Sequence, residues 1–366
     1  MIVDAMLFND ELELLEHRIR WLRDYVDVTI ILEADFTFTG RPKQLFAKSK
    51  LGELEKLTEG KIIILQMKNQ TFDGNFPDNP WKIELASRDF LVKHLALNYP
   101  DDRIIFADLD EIPSLEQIQI IQKLDLDRNL ETYSIPMQVY YRYANWHLVG
   151  PGEQNYAKTF NSSFAPTVSE IRTSNKFSNL PGKGSHLSYL AMPPLQITNK
   201  FESFSHSELS GFGQIENFLI GISDFYFVDH IGRFDADGRG LIYVLNENQV
   251  HDVCEYLVRM DSKFFRGGIT PPTFKRLMAS AVITYLRKPK KEPKSLLHKF
   301  VEKSLERNKE HIGMFSGPVV LIYYSFSILV RKIYISLNRL IPIQIKLSIK
   351  QSKVHRRIKL GHLIKK

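Results

Sequence analysis

Cys254 is the only cysteine in this chain, so no intrachain disulfide can form and a small disulfide-stapled fold is excluded. With 366 residues, 43% of them hydrophobic, the chain can bury one large core and carry an appendage. A basic segment followed by an apolar leader is also missing. The opening MIVDAMLFNDELELLEHRIRW places Asp4, Asp10, Glu11 and Glu13 where a signal peptide would be apolar. These two absences predict a chain that folds from its first residues in the cytoplasm.

Acidic residues are absent from the end of the chain. Residues 331–366 hold 11 Lys or Arg and no Asp or Glu, so the formal charge of +7 less these 11 leaves −4 for the rest. A pI near 9.1 therefore describes the tail more than the body. With no zinc-finger, RRM or basic-zipper pattern, nucleic acid is not expected as a partner. Long apolar runs are missing too. Val319 to Val330 has 12 apolar or weakly polar residues, too few to span a bilayer.

What the chain does have is alternation. Apolar runs Ile2–Phe8, Val28–Leu32, Ile62–Leu65 and Arg103–Ala107 read as strands. Between them lie helical patterns: Leu12, Leu15, Ile19 and Leu22 behind an Asn9 or Asp10 cap, then residues 44–57, then 81–97. Strands separated by helices of this length predict a parallel, three-layer α/β sheet, with ligands beyond the carboxyl ends of its strands.

At one such end stands IIFADLDEIPS, where Asp108, Asp110 and Glu111 follow an apolar strand. Crowded carboxylates repel and raise one another's pKa unless a cation is near. Hard oxygen ligands without a Cys or His cluster favour Mg²⁺ or Mn²⁺, which can hold a diphosphate and neutralise a leaving group. The alternative is strand-end polarity, with Ser114 as an N-cap after Pro113.

Five stretches, in order, carry a resemblance to a known family: DAMLFNDELELLEHRIRWL, VTIILEADFTFTGRPKQLF, NPWKIELASRDFL, DLDEIPS and HLSYLAMPPLQITNKFESFSHSEL. Together they resemble glycosyltransferase family 17 over roughly residues 1–210. The resemblance implies a GT-A-like three-layer α/β/α domain and an inverting transfer of a sugar, N-acetylglucosamine from UDP-GlcNAc favoured, to a glycan hydroxyl. It implies that Asp108 and Asp110 address the metal and diphosphate, with Glu111 either on the same ion through water or shaping the loop. The chain departs from the family at Ser185, where an aromatic residue is expected before His186, and keeps only a general likeness beyond residue 211.

Inversion needs a base for the acceptor hydroxyl. In FESFSHSEL, Glu202 and His206 are four apart and share a face if helical, while Ser205 and Glu208 have capping-box spacing. Glu202 or Glu208 is then the base, with Glu202 preferred, and His206 completes the metal shell or meets phosphate. His186 is a second imidazole for the donor site, or an ordinary strand histidine. Glu33 ends a strand on the Asp108 edge and can meet ribose or base. Thr37, Thr39, Gly40, Arg41 and Lys43 form a turn-rich loop whose cations can approach diphosphate, or a solvated turn with Gly40 at positive φ. Glu84 and Arg88 share a helical face with Trp81, for support or for the site. VYYRYANW reads as one strand, its aromatics core or sugar platform. Asn161 matches a glycosylation sequon that a cytoplasmic chain would not use.

The expected domain plan is a catalytic domain over 1–285, a charged, proline-containing hinge LRKPKKEPK within 286–294, and a helical basic extension over 295–366. Residues 315–366 suit peripheral contact with the anionic inner face of a membrane, and a lipid-linked glycan acceptor, or else a packing helix with a loose basic end. Two rivals remain. A phosphohydrolase also puts Asp-x-Asp after a strand, the first Asp as nucleophile, but near its beginning. A glycan-binding module that has lost turnover would keep the fold.

Overall fold

A computed structural model describes residues 1–69, 79–148, 157–174, 176–204, 220, 223–224, 242–245, 252–266, 279 and 283. The expected hinge and extension, and with them residues 315–366, lie outside the described residues. Among the described residues no helix is long and apolar enough to cross a membrane.

The expected core strands are present as β1 (Ile2–Phe8), β2 (Val28–Ala34), β3 (Lys61–Met67) and β4 (Arg103–Phe106). They run parallel, β4 beside β1, β1 beside β2 and β2 beside β3. Alternation of side chains sorts β1 between two apolar clusters. Met6 and Phe8 pack with Leu15 and Ile19 of α1 (Leu12–Leu22). Val3 and Ala5 pack with Leu91 and Leu95 of α4 (Pro80–Asn98). One helix covers each face, which gives the three layers around this part of the sheet. The sheet is mixed rather than all parallel. Beyond β4 come β9 (Lys158–Asn161), antiparallel to both β4 and β6 (Tyr133–Ser134), and then β10 (Ser178–Asn179).

A second sheet runs β12 (Ile242–Val244), β8 (Trp146–Leu148), β7 (Met137–Tyr141), β11 (Gly184–Ser188) and β5 (Glu111–Ile112). β5 pairs antiparallel with β11, setting Glu111 opposite His186. The acidic stretch is therefore the crossing between the two sheets, anchored in the first by β4 and in the second by β5. Ser114 caps α5 (Leu115–Leu126) in a reciprocal box with Gln117.

Three local expectations are corrected. The residue at the α1 N-terminus is Glu11 rather than Asn9 or Asp10, and no side chain caps it. The helix expected over 44–57 is split into α2 (Phe46–Ser49), α3 (Leu51–Leu54) and a 3₁₀ turn at Glu55–Leu57. VYYRYANW is two strands and a turn, because Arg142 adopts φ 62° after β7 and turns the chain into β8. Tyr140, Tyr141 and Trp146 are buried as core. Helix α7 (Pro194–Ser203) ends with Phe204 extended, and the expected face shared by Glu202 and His206 lies partly outside the described residues. Between β9 and β10 lies α6 (Val168–Thr173), capped by Thr167.

Candidate active site

The acidic loop is held from beneath by a buried guanidinium. Arg18 lies in the α1 stripe with Leu14, Leu15, Ile19 and Leu22. Its Nη2 and Nε donate to the two oxygens of Asp4, in the middle of β1, at 2.6 and 2.9 Å. Its Nη1 donates to the carbonyls of Asp108 (2.8 Å), Leu109 (3.2 Å) and Glu111 (2.8 Å). Trp21, one turn further, donates to the carbonyl of Pro113 at 3.0 Å. Burial works against the charge on Arg18, and Asp4 outweighs it, so its pKa stands above the ordinary value. Arg18 and Trp21 thus tie the loop backbone to α1.

Within the loop Glu111 is fully buried, and its Oε2 accepts the Asp108 amide at 2.9 Å. Of its two expected roles, the structure displays loop shaping. Asp108 Oδ1 lies 2.8 Å from Nη2 of Arg88, which also donates to Glu84 at 2.8 Å. Helix α4 so delivers a cation to the strand end, with Glu84 orienting it. Burial opposes the charge on Arg88, but Asp108 and Glu84 together hold it firmly protonated. Trp81, on the same helix, is exposed.

Asp110 meets different partners. His186 Nε2 lies 3.5 Å from Asp110 Oδ2 and 3.3 Å from the Ser188 hydroxyl. Burial alone would push the Asp110 carboxyl up, yet His186 and then Lys200 hold it below its ordinary value. Burial likewise opposes protonation of His186, but Asp110, then Glu111 and Asp108, raise its pKa. Lys200, from α7, pairs with Glu11 at 2.6 Å. Glu11 is pushed up by burial, with Lys200 pulling the other way.

Of the remaining candidates, the turn around Gly40 lies beside α7. Gly40 has the expected positive φ, 78°, in a turn where Thr37 and Arg41 are hydrogen-bonded backbone to backbone. Thr39 donates to the Glu202 carbonyl at 2.9 Å, Arg41 pairs with the Glu202 carboxylate at 3.0 Å, and the Phe38 amide donates to the Ser203 carbonyl. Lys43 turns inward, donating to the Asn9 carbonyl at 2.8 Å, and burial lowers its pKa. Glu33 is fully buried and accepts the amides of Ala47 and Lys48 at 3.1 and 3.0 Å. Its carboxylate closes the first turn of α2. His206 and Glu208 lie outside the described residues.

The two aspartates thus stand with Arg88, His186, Lys200 and Arg18, while Glu33 and Lys43 serve neighbouring backbone. Arg18, Asp4, Glu11 and Lys200 were not among the expected site residues. The signal for the first two was legible in principle: an Asp inside the apolar run IVDAMLF and an Arg at a buried helix spacing require each other. Lys200 and Glu11 are 189 residues apart in sequence and carry no such local mark.

Among the described residues no group of three or more His, Cys, Asp or Glu side chains is placed to hold a metal ion. Asp108 and Asp110, their side chains 28% and 15% exposed, are the carboxylates open to one. This donor set fits a hard cation that completes its shell with phosphate oxygens and water.

The chain matches Glycosyltransferase family 17 over residues 1–218, more than half of its length. Beta-1,4-mannosyl-glycoprotein 4-beta-N-acetylglucosaminyltransferases of Rattus norvegicus and Homo sapiens are 30% identical to it over 133 residues, and that of Mus musculus 29%. The aligned part is 34% of this chain and 24% of each relative, so the chain matches about a quarter of the length of these curated relatives. The family match takes in β1 through α7, with every element that positions Asp108 and Asp110, and on that ground the chain belongs to glycosyltransferase family 17.

Proposed function

We propose that this protein is an inverting, metal-assisted glycosyltransferase of the GT-A type that moves N-acetylglucosamine from UDP-GlcNAc to a hydroxyl of a glycan. One observation carries the reading. Asp108 and Asp110 lie just past the carboxyl edge of parallel strands, on a loop whose carbonyls are clamped by Arg18. That edge is where open α/β sheets bind nucleotides.

Mn²⁺ or Mg²⁺ bound through Asp108 and Asp110 would supply charge neutralisation to the departing diphosphate. The chain's own residues set the stage for it. Arg88 fixes the direction of Asp108, and His186 keeps Asp110 ionised. Arg18 fixes the loop, so the carboxylates need not reorganise when negative charge develops nearby. The acceptor hydroxyl must lose a proton during in-line attack. Glu202 is the described candidate for that base; its side chain is 45% exposed and oriented by Arg41. Glu208 and His206 follow it in sequence as further candidates. The basic stretch 315–366 would lay the enzyme on an anionic cytoplasmic membrane face, which suits a lipid-linked glycan acceptor.

The test is isothermal titration of the full chain with UDP and UDP-GlcNAc, with Mn²⁺ and with chelator, beside Asp110→Ala. Metal-dependent UDP binding that the variant loses is the expected result. A folded protein that binds no nucleotide under any condition overturns the reading and leaves a phosphohydrolase or a glycan-binding module.

A further inference from the structure

A lysine on a surface helix ordinarily carries its ammonium out to water. Lys200 of α7 does the opposite. Its Nζ lies 2.6 Å from Oε1 of Glu11, the residue joining β1 to α1, and the two side chains are 12% and 8% exposed. An ammonium has three N–H donors. Among the described residues Glu11 is the one hydrogen-bond acceptor Lys200 meets. Around the rest stand the rings of Tyr189 and Phe204, with centroids 5.4 and 4.8 Å from Nζ. Asp110 is the next charge it feels after Glu11, and Lys200 in turn helps keep Asp110 ionised.

The segment that delivers α7 to this place is built for it. Tyr189 and Ala191 take φ of 57° and 49°, a region that residues with a side chain seldom adopt. The Ala191 amide donates to the Arg142 carbonyl, and the Arg142 amide to the Ser188 carbonyl, each at 2.8 Å. Arg142 is itself left-handed, at φ 62°. Such conformations persist only where the surroundings over-determine them. The ends of β7 and β11 and the entry to α7 are thereby fixed, and two of the Lys200 donors remain for an anion.

We propose that Lys200 belongs to the donor site: its ammonium contacts the diphosphate of the nucleotide sugar, and Glu11 is the carboxylate that holds it there until the donor binds. The inference rests on the transferase reading above and adds a fixed protein cation to it. A diphosphate brought beside Asp110 meets carboxylate repulsion, and Lys200 is the nearby charge of the right sign on α7. Removing Glu11's charge frees Lys200 for the phosphate, whereas removing Lys200 leaves Glu11 and Asp110 facing the phosphate uncompensated.

The experiment measures UDP and uridine affinities of the full chain by titration calorimetry in Mn²⁺, with melting curves for every variant. Lys200→Gln should weaken UDP roughly 10- to 100-fold, the worth of one charge-assisted hydrogen bond, with uridine unchanged. Lys200→Arg should recover most of the loss, and Glu11→Gln should bind UDP more tightly than the native chain. Should Lys200→Gln fail to fold, Glu11→Gln/Lys200→Gln removes the buried pair together and must still lose UDP affinity selectively. Native UDP affinity in either Lys200→Gln background overturns the inference while the transferase reading stands. An equal loss for UDP and uridine assigns Lys200 to packing and overturns it likewise. Absence of UDP binding by the native chain overturns both.

Discussion

Arg18 and Asp4 form an ion pair of 2.6 Å whose side chains are 0% and 1% exposed, joining α1 to strand β1 of the first sheet. The same guanidinium then spends its remaining nitrogen on three carbonyls of the acidic loop. Structure and site therefore share one residue.

Breaking that pair from one side should be severe. Arg18→Leu leaves Asp4 buried without a partner, a loss of about 3–5 kcal/mol. Arg18→Met with Asp4→Leu removes both charges and should regain much of the stability while the loop carbonyls still lack their donor. Chemical denaturation and UDP titration of both variants separate the effects: stability should partly return in the double variant and donor affinity should not. Full recovery of donor affinity would show that the carbonyl contacts are unimportant.

Arg88 bridges Glu84 and Asp108, which needs a planar fork. Arg88→Lys keeps the charge and loses the bridge. The expected result is a fall in kcat/KM of roughly 10-fold or more, by analogy with loss of one charge-assisted contact. A variant with native turnover would reduce Arg88 to helix support.

His186 makes stability depend on pH. Its pKa in the fold is raised above the unfolded value of about 6.5, so the fold favours the imidazolium. That stabilisation is fully present below the unfolded pKa and disappears as pH rises through the folded one. The melting-temperature advantage of the native chain over His186→Gln should be larger at pH near 6 than at pH near 9. A constant advantage across that range would contradict the pairing with Asp110.

Glu33 tests the difference between a site and its support. Because its carboxylate accepts two amides of α2, Glu33→Gln should cost about 1 kcal/mol, as loss of a helix cap does. UDP affinity in the same variant should stay native. A selective loss of UDP binding with unchanged stability would restore Glu33 to the nucleotide.

Deleting residues 315–366 should release the protein from anionic liposomes and leave donor hydrolysis intact. Retention on the liposomes would assign the basic stretch to packing instead.

The parts of the fold that could be read in advance are those where apolar periodicity and local geometry agree. β1, β2, β4 and α4 follow their hydrophobic patterns, and Ser114 and Gly40 behave as their cap and turn chemistry require. The break after β7 could not be read, because it depends on Arg142 holding a left-handed conformation against β11 and the 189–192 turn. In the site, Asp108 and Asp110 were visible as acids ending an apolar run. Arg18 was legible only in principle, through an Asp inside a neighbouring apolar strand, and Lys200 was not, because its partner Glu11 lies 189 residues away. Glu33 was rightly placed at a strand end, but the amides its carboxylate accepts belong to a helix fourteen and fifteen residues away and carried no local mark.

The acidic stretch enters from one sheet and leaves into the other, with the Leu187 amide bonded to the Asp110 carbonyl at 2.8 Å and Glu111 in register with His186. It acts as a mechanical weld. Slippage between the two sheets would have to break these contacts at the charge centre.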